Sequence, residues 1–126
     1  MTQEEKQILL KDLCSRLPYG VYVHFSNTNI DEILTSIEID EENINKTRHN
    51  GKGNHCKVIP YLRPMSSMTE EEKIEWETWH ERLEEGRIKD WKYADFLDWL
   101  NAHHFDYRGL IEKGLALEAP KGMYEN

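Results

Sequence analysis

The N-terminal pattern of apolar and polar positions is helical. Leu10, Leu13, Cys14 and Leu17 fall on one face of residues 2–16, with Thr2 placed to cap and Glu5 three residues on to complete a capping box. Cys14 on that stripe reads as a small buried hydrophobe. Pro18 and Gly20 stop the helix and turn the chain. The period then changes from 3.6 to two. Val21, Val23 and Phe25 alternate with Tyr22 and His24, as in a half-buried strand that leaves His24 on the solvated side. Residues 26–29 read as a turn, and Ile33, Thr35, Ile37 and Ile39 alternate with more polar neighbours, so the two runs predict an antiparallel hairpin.

Residues 41–57 begin acidic and turn basic around Asn50-Gly51, a strong turn signal. They predict a second hairpin, or an ill-ordered loop, leading into a strand at about 56–62. The glycines there do not form a phosphate-binding loop, because G-x-x-x-x-G-K-[ST] is absent. Pro60 and Pro64 mark the exit from the sheet. A second helix is expected from Thr69 to about Glu85, with Thr69 as cap, Glu72 in the box position and Met68 as the apolar residue before the cap. Trp76, Trp79 and Leu83 recur on one face of that helix, with Ile74 near the edge. Gly86 ends it, and a third helix runs from Tyr93 to about Asn101 or His103 with Phe96, Leu97 and Leu100 inward, giving an αα-hairpin. Beyond it Gly109 and Gly114 forbid a long helix. Leu110, Ile111, Leu115 and Leu117 still require burial, so the tail should drape across the helices until about Pro120.

The pattern therefore predicts one α+β domain spanning 1–126. Residues 2–62 supply a helix and a small antiparallel sheet of three or four strands, an SH3-like arrangement being among those it allows. Residues 63–126 supply a helical hairpin and an irregular docked tail.

Composition narrows the function classes. The 126 residues carry a net charge of −8 and 32% charged side chains, which argues against global attraction to nucleic acid or anionic lipid. Apolar residues make up 38%, so the core is small and leans on aromatic side chains. No apolar run approaches the ~18–20 residues of a membrane span, and the first residues lack the pattern of a signal peptide. A cytoplasmic protein that does not enter a membrane is expected. Cys14 and Cys56 are far apart and in no C-x-x-C motif, so they read as reduced thiols.

Candidate chemistry concentrates in residues 96–111, where four aromatic rings, two adjacent histidines and an Asp/Arg flank are interleaved. His103, His104 and Asp106 are the residue types of a metal-dependent hydrolase. Their spacing is poor for it, since neighbours on a helix point about 100° apart; histidines capping the negative end of the helix are the simpler reading. Asp106 and Arg108 can pair to fix a turn, with Tyr107 burying its ring. Alternatively Trp99, His103, His104, Tyr107 and Arg108 offer a binding surface of the types enriched in interface hot spots. Lys46, Arg48, Lys52 and Lys57 form a local basic patch that could meet nucleic acid. No G-x-S-x-G elbow is present, and the paired carboxylates of 70–72 and 84–85 read as solvated helix charges, so no catalytic residue and no cofactor is implied. The leading expectation is a non-enzymatic module that binds another protein.

Residues 62–72 (LRPMSSMTEEE), residues 98–120 (DWLNAHHFDYRGLIEKGLALEAP) and residues 12–21 (DLCSRLPYGV) resemble a family of short hypothetical proteins found in the genomes, prophages and mobile elements of gut anaerobic bacteria. The resemblance covers most of the chain outside residues 22–57. It carries no catalytic or binding residues with it, and implies a small accessory or interaction protein.

Overall fold

The computed structural model describes residues 2–26, 29–37, 46–48, 55–84 and 90–124. Helix α1 spans Gln3–Arg16, and its capping box is formed: the Glu5 N–H donates to Thr2 Oγ1 at 3.1 Å and the Thr2 N–H to Glu5 Oε1 at 2.9 Å. Its buried face is one position out of phase with the predicted one. Leu9, Asp12, Leu13 and Arg16 point inward, whereas Cys14 is exposed. An apolar stripe count misses this phase because half of the buried face is an ion pair, with Arg16 Nε 2.8 Å from Asp12 Oδ2. A short 3-10 turn, Leu17–Tyr19, follows, and Gly20 at φ 71° reverses the chain in the left-handed conformation that glycine adopts without strain.

The sheet contains β1 (Tyr22–Phe25), β2 (Ile30–Ile33), β3 (Lys46–Arg48), β4 (His55–Leu62) and β5 (Leu117–Glu118). The order is β2-β1-β4-β3, all antiparallel, and β5 pairs with β4 in parallel. The fold is α+β with a mixed sheet. Val21, Val23 and Phe25 are buried as the alternation predicts. Strand β2 begins earlier than expected, and Leu34, just past it, is the residue that reaches the core while Ile33 stays exposed. The β3–β4 hairpin is present; its Asn50-Gly51 tip and Ile39 lie outside the described residues.

Pro60 does not mark the sheet's exit: it is fully buried inside β4, opposite Val23. The next pair in that register, Tyr22 and Tyr61, has its N–H and C=O facing each other. Position 60 is therefore a non-hydrogen-bonded site towards β1, where a missing N–H costs no rung.

The 3-10 turn Met65–Ser67 leads to α2 (Glu70–Glu84), and α3 (Asp90–Ala102) returns antiparallel to it. Trp79 stacks on Phe96 at 5.8 Å, and Trp99 Nε1 donates to Glu75 Oε2 at 2.7 Å, so positions near 79 and 96 and near 75 and 99 meet. Ile74 is on the open face, 65% exposed. Gly86 and the link after it lie outside the described residues.

Two apolar clusters result. The first joins α1, the sheet and the tail through Leu9, Leu13, Val23, Val58, Leu62, Leu110 and Leu115. The second joins α2 and α3 around Phe96, Leu100 and Phe105. The tail thus packs on α1 and the sheet rather than across the helical hairpin, and Leu117, expected inside, is exposed on β5.

Candidate functional site

Helix α3 ends in a Schellman motif: the Phe105 N–H reaches the Leu100 carbonyl and the His104 N–H the Asn101 carbonyl, both at 3.1 Å. The residue placed in the left-handed conformation is usually glycine. Here it is His104, at φ 64°. The strained backbone turns the His104 ring inward, where it is 8% exposed, and hands the chain to Phe105, which sits beside Arg63 as a parallel bridge. Around that bridge the Arg63 N–H donates to the His104 carbonyl and the Asp106 N–H to the Arg63 carbonyl, both at 2.8 Å.

Phe105 is held from two sides. Arg16 Nη2 donates to its carbonyl at 2.7 Å, and the Arg63 guanidinium lies 4.3 Å from its ring centre. The five candidate binding residues divide around it. Trp99 and His103 lie with ring centres 4.6 Å apart, tilted by 38°, and face α2, and the ring Nδ1 of His103 is 2.8 Å from the Trp99 carbonyl. Tyr107 and Arg108 turn towards α1: Arg108 Nη1 donates to Asp12 Oδ1 and to the Tyr107 hydroxyl, both at 3.0 Å. The hydroxyl donates in turn to Asn101 Oδ1 at 2.9 Å. His104 lies beneath the tail, its ring stacked on Tyr124 at 3.7 Å.

The expected Asp106–Arg108 pair is replaced by two separate fixings. Asp106 accepts from the Leu110 and Ile111 N–H groups at 2.8 and 3.0 Å, because free amides in the following turn lie closer than the guanidinium, which reaches across to Asp12. His103, His104 and Asp106 are accordingly taken by different partners. No group of three His, Cys, Asp or Glu that could hold a metal occurs among the described residues.

A cleft of about 450 Å³ lies between the start of α2 and the C-terminal segment, with Arg63 in its lining. Arg63, Ser67 and Glu72 form one side, and Glu118, Lys121 and Tyr124 the other. Arg63 and Glu72 make a two-point ion pair at 2.8 and 2.7 Å, and Glu72 also closes the α2 capping box with Thr69. The cleft escapes a local reading because its two walls are some fifty residues apart in sequence. Its latest element, Tyr124, donates to the Tyr61 carbonyl at 2.7 Å and accepts from the Tyr22 N–H at 2.8 Å. The hydroxyl therefore replaces the rung that β1 and β4 would next have made. The sequence signal for it is that Tyr124 is the single aromatic residue of positions 118–126.

The electrostatics are set by burial and by these pairs. Hydrogen bonds from Arg63 hold the Glu72 carboxyl at about 2, well below its ordinary 4.5. Burial, reinforced by the charges of Arg16, Arg63 and His103, lowers His104 to about 4. Its imidazole is neutral at pH 7, so it does not serve as the cationic helix cap expected of it. Burial raises the Tyr124 hydroxyl to about 12.

The basic candidates are placed by backbone register alone. Lys46 stands opposite Lys57 and Arg48 opposite His55 on the β3–β4 ladder, while Lys52 lies outside the described residues. No helix among the described residues is long and apolar enough to cross a membrane. No family model matches the chain, and no significant match is found among curated proteins or solved structures.

Proposed function

We propose that this chain is a non-enzymatic interaction module of the bacterial cytoplasm, an accessory protein of a prophage or mobile element, that takes a segment of a partner protein into the cleft between α2 and the C-terminal segment. The observation that carries this reading is the tuning of the groups in and beneath the cleft. A general acid or base works best with a pKa near the operating pH. Glu72, His104 and Tyr124 are moved to about 2, 4 and 12, each away from neutrality, and each is held in a packed or hydrogen-bonded position. The Ser67 hydroxyl is committed to the Pro64 carbonyl at 2.7 Å. Such a site offers shape and fixed charges, with exposed Glu118 and Lys121 at its rim.

The test exchanges those two charges. Glu118→Lys with Lys121→Glu leaves net charge and fold unchanged. In quantitative affinity purification, a partner retained by the wild type should be lost at least tenfold by the exchanged variant. Equal retention of every partner overturns the reading.

A second reading is favoured by the ladder register. Like charges at facing positions, Lys46 and Lys57, destabilise a strand pair unless something neutralises them. A nucleic acid phosphate backbone would do so, with affinity that falls steeply with salt. Absence of binding to single- and double-stranded DNA and RNA at low salt removes this reading.

A further inference from the structure

One side chain concentrates three unfavourable features. His104 holds a left-handed backbone in place of glycine, is more than nine-tenths buried, and leaves Nδ1 with no hydrogen-bond partner among the described residues. Packing the helix end does not require this, since a glycine at that position satisfies the same Schellman geometry. What the imidazole alone supplies is a flat seat for Tyr124, 3.7 Å away and nearly parallel at 14°. Tyr124 in turn fixes the C-terminal segment to both β1 and β4.

We propose that residues 119–124 are an acid-released latch: neutral His104 seats the Tyr124 ring, and protonation of His104 releases the segment and dismantles one wall of the cleft. This rests on the cleft reading above and adds its regulation. The charges around His104 all act in one direction. Arg16 on α1, Arg63 at the end of β4 and the neighbouring His103 oppose a second cation there. The nearby carboxylates are engaged elsewhere, Asp12 by Arg16 and Arg108 and Glu72 by Arg63. The Tyr124 hydroxyl, raised to about 12, stays neutral throughout the acid range, so the imidazole is the group that titrates the latch.

The sign follows from linkage. The docked form holds His104 at about 4, and the released form returns it towards the ordinary 6.5. Docking is complete above 6.5 and is weakened as pH falls towards 4; between pH 7 and pH 5 the docking equilibrium changes by about twentyfold.

Amide hydrogen exchange, corrected for intrinsic rates, reads this directly at Tyr22, whose N–H is held by Tyr124, and at Ala119, whose N–H is held by the Leu62 carbonyl. Both should lose about twentyfold in protection from pH 7 to pH 5 while exchanging faster than the His24 and Ile59 amides at the centre of the β1–β4 ladder. In His104→Phe, which keeps a ring under Tyr124, the drop should vanish. Tyr124→Phe keeps the stack but loses both hydroxyl bonds: Ala119 should be less protected at pH 7 yet retain the pH-dependent drop. The proposal is overturned if the tail and central amides exchange together, if His104→Phe shows the wild-type pH dependence, or if Tyr124→Phe abolishes it. Exchange needs no partner, so this result stands apart from partner capture at pH 7.

Discussion

Two arginine–carboxylate clasps flank Phe105, and their difference separates scaffold from site. On the α1 side, Asp12 and Arg16 are wholly buried, and Arg108 adds a second contact to the same carboxylate. Between them Asp12 and Arg16 bind Arg108, the Phe105 carbonyl and the face of Tyr107, which ties residues 105–108 to the first helix. On the α2 side, the side chains of Arg63 and Glu72 are 20% and 13% exposed and border a cleft. The same chemistry is a strut when sealed in, and the floor of a cleft when water reaches it. Phe105 touches both, so the helical hairpin and the sheet share one fixed point.

The contrast predicts a graded response to removing charges. Arg16→Met should cost most, about 3–5 kcal/mol, because it removes the wholly buried partner of Asp12, leaving that carboxylate only the partly exposed Arg108, and empties the Phe105 carbonyl; urea unfolding at pH 7 measures it. A loss below about 1 kcal/mol would mean that the buried clasp is no strut.

Glu72→Gln should cost about 2–3 kcal/mol at neutral pH, the roughly 3.4 kcal/mol of a carboxyl depressed from 4.5 to about 2 reduced by solvent screening of a partly exposed pair. The group's stabilisation is fully present above 4.5 and is lost as pH falls through about 2. The stability difference between wild type and variant should therefore shrink in that acid window, below the range in which His104 acts. Stability curves measured from pH 5 to pH 2 that remain parallel would contradict the assignment.

Arg108→Ala should cost about 1–2 kcal/mol, less than Arg16→Met, since Asp12 keeps its other partner. Thr69→Ala removes the α2 cap and should cost about 1 kcal/mol by the same urea assay. The exposed Glu118/Lys121 exchange should change stability by less than about 0.5 kcal/mol while changing partner capture. A large stability loss there would erase the distinction between the two clasps.

Much of this architecture is legible in the chain. Both capping boxes, the alternation of residues 21–25, the hairpin of α2 and α3, and the non-helical tail all follow from local spacing, and local spacing decided them. What was hidden depended on distant partners. The buried face of α1 defeats an apolar count because Asp12 and Arg16 belong to it. Pro60 reads as a boundary until its register against Val23 is known. The histidine pair reads as a metal or cap motif until the Schellman turn sends His103 to the Trp99 carbonyl and His104 under Tyr124. The cleft unites residues 63–72 with 118–124, which no window of sequence brings together.

The shared role of Phe105 can be tested with the molecule's own probes. All four tryptophans, Trp76, Trp79, Trp91 and Trp99, belong to α2 and α3, so tryptophan fluorescence reports the helical hairpin, whereas exchange at β1 and β4 amides reports the sheet. Arg16→Met removes a contact outside the hairpin. If Phe105 couples the two cores, its urea transition by fluorescence should move to lower denaturant together with the loss of sheet protection. A fluorescence transition unchanged from wild type while the sheet is destabilised would show two independent cores and contradict the account.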